Sequence, residues 1–156
     1  MKDFKAVITN GFRLKLFFLK SMPMGFLAGL KVDEIDDEKA SVSVPFNYLT
    51  KNPFRSVYFA VQAMAAELSS GVIAMSEVMK APVRVSMLVL ESQAVFTKKA
   101  VSRITFTCRD AKAIADAVAA AVETGEGQTV TVTSTGVDNQ GDTVSEFRFT
   151  WTFKAK

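Results

Sequence analysis

Residues 52–75 read NPFRSVYFAVQAMAAELSSGVIAM. From Ser56 to Met75 the stretch holds a single carboxylate, Glu67, and no basic residue. Valine, leucine, isoleucine, methionine, phenylalanine and alanine occupy nearly every direction of a helical wheel, and a helix that is apolar all round is buried. A helix over 56–76 is therefore expected at the centre of the molecule, with Ser56 as its N-cap. A lone carboxylate in such a helix is costly unless it is paired, hydrogen-bonded or functional. The stretch is long enough to span a bilayer, but Gln62, Glu67 and its serines argue against a membrane span.

Outward from that helix the chain reads mostly as strands. Downstream, Lys80-Ala81-Pro82 closes the helical region, and 83–97 is a long valine-rich strand followed by Lys98-Lys99. Ile104, Phe106 and Cys108 alternate with Arg103, Thr105, Thr107 and Arg109. Asp110 is placed to cap a second helix over 111–123, with Ile114, Val118 and Ala121 as its stripe and Gly125 as its stop. A strand over 129–137 turns at Asp138-Asn139-Gln140-Gly141. The last strand puts Phe147, Phe149, Trp151 and Phe153 on one face.

Upstream, 26–35 and 39–46 read as a hairpin around Asp36-Asp37-Glu38, with Ala40, Val42, Val44 and Phe46 facing inward and Ser41 and Ser43 outward. Residues 47–55 form a loop, and Met22-Pro23-Met24 breaks the preceding helix. Residues 4–20 form one amphipathic helix or two short ones, whose apolar stripe is Phe4, Val7, Ile8, Phe12, Leu16 and Leu19. The favoured reading packs this stripe over a sheet or caps an acyl pocket. A basic amphipathic helix can also lie on a membrane, a less favoured reading.

One antiparallel sheet curled around one apolar helix satisfies all these patterns, which makes the chain α+β. The 156 residues fit one domain, 1–156, with residues 1–22 as an N-terminal helical segment. Thirteen phenylalanines and 49% apolar residues exclude disorder. A formal charge of +3 from scattered basic residues argues against nucleic acid. One cysteine rules out an intrachain disulfide and, with no signal-peptide pattern at the start, fits a cytoplasmic setting. The absence of histidine removes the Ser-His-Asp triad, the Cys-His pair and histidine-ligated metal. Catalysis, where present, rests on carboxylates, amides, hydroxyls or helix dipoles. There is no phosphate loop and no metal spacing, so no cofactor or metal is expected.

The order of elements resembles the hotdog fold, an antiparallel sheet wrapped around a central helix, over most of the chain from Gly25 to Lys154. The local sequence resembles the phenylacetic-acid-degradation-type thioesterases and a poorly characterised branch beside them. There the helix opens with Asn, Gly, a hydroxyl residue and His-Gly-Gly, and an acidic residue follows nine positions after the His. Asn52 and Ser56 stand in the Asn and hydroxyl places, Tyr58-Phe59-Ala60 replace His-Gly-Gly, and Glu67 takes the acidic position. The resemblance implies hydrolysis of an acyl-coenzyme A or a related acyl thioester, and a homodimer or dimer of dimers with sites between subunits. The edge strand such a sheet exposes argues separately for pairing. A non-catalytic acyl- or lipid-binding module is the alternative.

Glu67 is the expected base or nucleophile, with a pKa raised by burial. Ser56, Ala60, Ala63, Glu67 and Gly71 share one face of small residues that leaves room for a substrate or a close partner. The plain alternative is a buried ion pair with Arg84, Lys98 or another basic residue. Asn52 either donates to the substrate carbonyl or orients water, or it simply forms the turn before Pro53. The amides of Tyr58, Phe59 and Ala60 at the helix start are expected to polarise a carbonyl. Ser56 reads as a cap rather than a nucleophile, since no base activates it. Gln62 reaches a substrate or partner chain, or is a buried amide. Lys98 and Lys99, with Arg84 and Arg103, bind the phosphates of coenzyme A or form a solvated edge. Cys108 alternates with core residues and is read as one of them.

Overall fold

A computed structural model of the chain describes residues 10–156. The first half of the helix expected over 4–20, with Phe4, Val7 and Ile8, lies outside them. Helix α1 spans Gly11–Ser21, and Asn10 caps it by accepting from the Arg13 N–H at 3.1 Å. Pro23 sits in the first turn of the short α2, Pro23–Leu27, where its missing N–H is no loss. Here the hairpin reading needs correction. Residues 26–30 are not strand, because the turn that Pro23 starts continues to Leu27 and is closed by Gly29 at φ +70°. Strand β1 begins only at Lys31 and runs Lys31–Ile35.

The helix stripe needs correction too. Leu14 and Phe18 are the buried residues of α1, while Phe12, Leu16 and Leu19 are exposed. The periodicity found a real amphipathic face, but the helix seats itself by the opposite seam.

Strand β2, Ala40–Val44, pairs with β1 across a turn in which Asp36 Oδ1 accepts from the Glu38 and Lys39 N–H groups at 2.8 Å. Both faces of β2 are buried, the serines included. Ser41 meets the Thr107 hydroxyl at 2.9 Å, and Arg103 lies across Ser43, donating at 3.3 Å. The neighbours on the outer face, rather than a second layer, cover these hydroxyls.

The long helix α3 spans Phe59–Lys80. The remaining elements are β3 (Val85–Phe96), β4 (Ile104–Cys108), α4 (Ala111–Thr124), β5 (Gln128–Val137) and β6 (Thr143–Ala155). The six strands form one antiparallel sheet in the order β1-β2-β4-β5-β6-β3. Helix α3 lies against the sheet, and α4 packs on α3, β5 and β6. Ile104, Phe106, Cys108, Val132, Phe147, Phe149, Trp151 and Phe153 make the sheet side of the core. Gly136 stands opposite Phe106, and a Cβ there would lie 2.4 Å from the ring, so the aromatic ring occupies the space of the missing side chain.

Asp110 does not cap α4 with its side chain. Its carboxylate accepts from the Thr133 N–H at 2.8 Å and ties the start of α4 to β5. Gly125 ends the helix at φ +71°, as its sequence position indicates.

By length and composition α3 could cross a membrane, but 67% of its most apolar window is buried inside the protein. Its polar residues are the ties that hold it. Ser69 meets Ser134 at 2.7 Å, Trp151 donates its indole N–H to Ser70 at 3.1 Å, and Ser145 donates to the Gln62 carbonyl at 2.8 Å. A helix of alanine, glycine and serine comes close enough to a sheet for such short hydroxyls to reach across.

Candidate active site

The loop before α3 is built by three short polar side chains. Asn47 accepts from the Leu49 and Thr50 N–H groups, and the buried Thr50 hydroxyl donates to the Pro45 carbonyl at 2.7 Å. Asn52 then closes a second turn. Its Oδ1 accepts from the N–H groups of Phe54 (3.0 Å) and Ser56 (3.2 Å), and its backbone N–H donates to the Ser56 carbonyl at 2.8 Å. Arg55 takes a left-handed conformation, φ 59°, to complete it. The turn-forming reading of Asn52 therefore holds, and its side chain also lines a cleft.

Ser56 is not the helix cap. Its hydroxyl lies 3.1–3.2 Å from the Asn52 amide group, which commits it to the turn, and α3 begins three residues later. Tyr58 occupies the N-cap position in extended backbone with no side-chain cap. Its own N–H is not free, since it donates to the Thr50 carbonyl at 2.8 Å. Val61 and Gln62 N–H return to the Tyr58 carbonyl. That leaves Phe59 and Ala60, whose N–H groups have no acceptor among the described residues. They sit at the positive end of the helix.

A cleft of about 520 Å³ opens at this point. It brings together Asn52, Ser56, Tyr58, Phe59 and Gln62 with Lys98 and Lys99 from the turn after β3. Phe96 and Thr97 also line it, a contribution of the strand end that the sequence reading missed. The link is the bond from Val57 N–H to the Ala100 carbonyl at 2.8 Å, which no local pattern announces. The Tyr58 and Phe59 rings meet edge to face at 4.9 Å, and both are exposed.

Gln62 is a buried amide with both ends engaged, donating to the Val57 carbonyl at 3.1 Å and accepting from Ser145. Lys98 is also engaged. Its ammonium lies 2.7 Å from Asp138 and 2.6 Å from Asp142, and these hydrogen bonds raise its pKa and hold Asp138 below its ordinary value. Lys99 is exposed and carries no ion pair among the described residues. Cys108 is fully buried, and burial pushes its thiol up to about 11, so it is a core residue with no thiolate to offer.

Glu67 lies elsewhere. It lines a separate cavity of about 70 Å³, walled by Leu14, Phe18 and Met22 from the α1 side, by Leu68 and Gly71 of α3, and by Met87 of β3. Its carboxylate has no hydrogen bond or ion pair among the described residues, and burial pushes its pKa up. Of the basic residues named as its partner, Lys98 is held by Asp138 and Asp142, and neither Arg84 nor another described basic residue pairs with Glu67. Gly71 makes the space; a Cβ there would come within 3.1 Å of Glu67 Oε1. Ala60 and Ala63 are half-buried and line neither cavity. Eight residues of helix at 1.5 Å each separate Glu67 from Phe59, about 12 Å along the axis.

The chain belongs to the family described as a domain of unknown function (DUF4442), whose model matches residues 13–153. Among curated proteins none shows significant sequence similarity. Solved structures share the hotdog fold seen in the described residues. A protein of unknown function from Pseudomonas aeruginosa, described as a probable thioesterase, superposes with a TM-score of 0.76 at 18% identity, covering 96% of this chain and 99% of that one. A protein of unknown function from Chlorobaculum tepidum gives 0.79 at 14% identity, with 97% and 99% covered. A thioesterase from Haemophilus influenzae gives 0.62 at 12% identity, with 96% and 95% covered.

Proposed function

We propose that this member of the DUF4442 family is an acyl thioesterase, acting on an acyl-coenzyme A or a related acyl thioester with Glu67 as the base. The observation that carries the reading is the carboxylate itself. On the central helix of a hotdog fold stands a half-buried glutamate with no partner among the described residues, and burial raises its pKa, the direction that suits a general base. In the hydrolysis, Glu67 takes a proton from water as the water oxygen attacks the thioester carbonyl. The oxyanion forms against the N–H of Phe59, a residue that lines the cleft and whose N–H has no acceptor among the described residues. Collapse breaks the carbon–sulfur bond, and the proton held by Glu67 goes to the departing thiolate.

Within one chain the two halves of this machinery lie too far apart for one carbonyl, about 12 Å at the helical rise. The 70 Å³ cavity beside Glu67 holds only a couple of waters, at about 30 Å³ each in the liquid. The acyl group therefore occupies the larger cleft, and a second copy supplies the carboxylate. Strand β3 supports such pairing. It lies at the sheet edge and exposes Leu88, Leu90, Val95 and Phe96. In this reading Lys99 meets a phosphate of the carrier at the mouth of the cleft, while Lys98 shapes the turn below it.

The test is thiol release from a panel of acyl-coenzyme A esters, with Glu67→Gln in parallel and light scattering on both. A dimer whose release falls at least about a hundredfold in the variant, with folding intact, places the carboxylate in the mechanism. Release untouched by the substitution removes Glu67 as the base. No release from any ester, with an acyl ligand retained, makes the protein a binding module. A monomer at micromolar concentration overturns the shared site.

A further inference from the structure

Helix α1 carries two apolar seams, and the protein uses one. Leu14 and Phe18 are 3% and 1% exposed and roof the Glu67 cavity. Phe12, Leu16 and Leu19 are 78%, 60% and 56% exposed. At 3.6 residues per turn these three fall within roughly 60° of one another, on the side opposite the buried seam. The next helix, α2, exposes two more apolar residues, Met24 at 63% and Leu27 at 54%. Scattered exposed apolar residues mean little, but a stripe along one face of α1, followed by further exposed apolar residues on α2, marks an interaction surface.

The charges around the stripe decide what fits it. Arg13 and Lys20 project roughly 100° to one side of it and Lys15 roughly 60° to the other, and all three are exposed. From residue 4 to residue 32 the sequence has no aspartate or glutamate. An apolar stripe bordered on both sides by cations is the pattern of a helix lying in a lipid interface, with rings and aliphatic chains below the headgroups and long basic side chains reaching up to them. A second copy of α1 fits poorly, because it would set cations against cations with no acid between them.

We propose that α1 and α2 dock the protein on an anionic lipid surface through Phe12, Leu16, Leu19, Met24 and Leu27, with Arg13, Lys15 and Lys20 on the phosphate and carboxylate headgroups. The docking leaves Leu14 and Phe18 seated, so the fold stays closed. It is independent of the thioesterase reading, since it requires only the outer face of the helix.

Co-sedimentation of the full chain with phosphatidylcholine vesicles, with and without phosphatidylserine, tests it. The wild type is expected to pellet with the anionic vesicles and to be released by salt. Phe12→Ser/Leu16→Ser/Leu19→Ser should weaken binding at least about tenfold. Arg13→Glu/Lys15→Glu/Lys20→Glu should weaken it by about a hundredfold. All six positions are exposed, and circular dichroism confirms that the variants fold. No pelleting with phosphatidylserine vesicles overturns the proposal. So does pelleting that survives both triple variants, or a vesicle-free wild type whose mass by light scattering halves in the serine variant, which would make the occupant a second copy.

Discussion

At the start of α3 the N–H groups of Phe59 and Ala60 have no acceptors among the described residues, and the Tyr58 and Phe59 rings are exposed. About three turns further on, Ser69 and Ser70 are fully buried and bonded to Ser134 and Trp151 of the sheet. The same helix thus has an end left unfinished and a middle that is fixed on every side but one. The exception is Glu67, a half-buried carboxylate with no partner among the described residues. The contrast teaches where to look for chemistry. The polar groups that tie α3 to the sheet are paired, while the open amides of the helix start and Glu67 have no partner among the described residues.

The sharpest way to break the comparison is to remove an open amide without touching the helix. Phe59 is the first helical residue, where proline is well tolerated, and Tyr58 at ψ 136° already has the extended backbone that a residue before proline needs. Phe59→Pro should therefore fold normally and lose about 10²- to 10³-fold in thiol-release kcat, the cost of one oxyanion donor. Phe59→Ala keeps the amide and should lose far less. Equal losses in the two would assign the effect to the ring, and an active proline variant would leave the helix start without a catalytic part.

The second contrast is in pH. Burial raises the Glu67 pKa above its ordinary 4.5, so the folded state favours the protonated carboxyl. Below the unfolded chain's pKa both states are protonated and stability is full. As pH rises past it, the unfolded carboxyl ionises first, and stability falls until the folded carboxyl ionises as well. Urea unfolding of wild type and Glu67→Gln from pH 4 upward should show the variant gaining on the wild type with pH. A constant difference would mean that the carboxylate has a partner in solution.

How much of this could be read in the sequence follows the range of the interactions. The buried helix, the aromatic row Phe147, Phe149, Trp151 and Phe153, and the Gly125 stop were legible, because each is a periodicity or a local backbone demand. The start of α3 was not. Ser56 has the right chemistry for a cap, but Asn52 four residues earlier claims its hydroxyl. The Tyr58 amide was counted as free, but the Thr50 carbonyl takes it from outside the helix. For Lys98 the sequence offers a phosphate ligand or a solvated edge, but not its ion pairs, because Asp138 and Asp142 lie forty residues and more away. On α1 the spacing of Phe12, Leu16 and Leu19 is unmistakable, yet spacing says that a face is apolar and not what covers it.

The smallest effect is expected at the fixed part of α3. Trp151→Phe removes the indole N–H from Ser70, whose hydroxyl still donates to the Glu67 carbonyl at 3.0 Å. One neutral hydrogen bond is lost with no donor stranded, about 1 kcal/mol, and the void left by the smaller ring adds to the loss seen in urea unfolding. Ser70→Ala is the harsher change, since it leaves the buried indole N–H with no acceptor, about 1–3 kcal/mol. The double variant removes both partners, and its loss should fall short of the sum of the two singles. Additive losses would show that the bond does not couple helix to sheet. Phe59→Ala, made on the exposed end of the same helix, should stay within about 0.5 kcal/mol of wild type. The catalytic and structural ends of α3 would then separate in two measurements, one losing rate without stability and the other stability without rate.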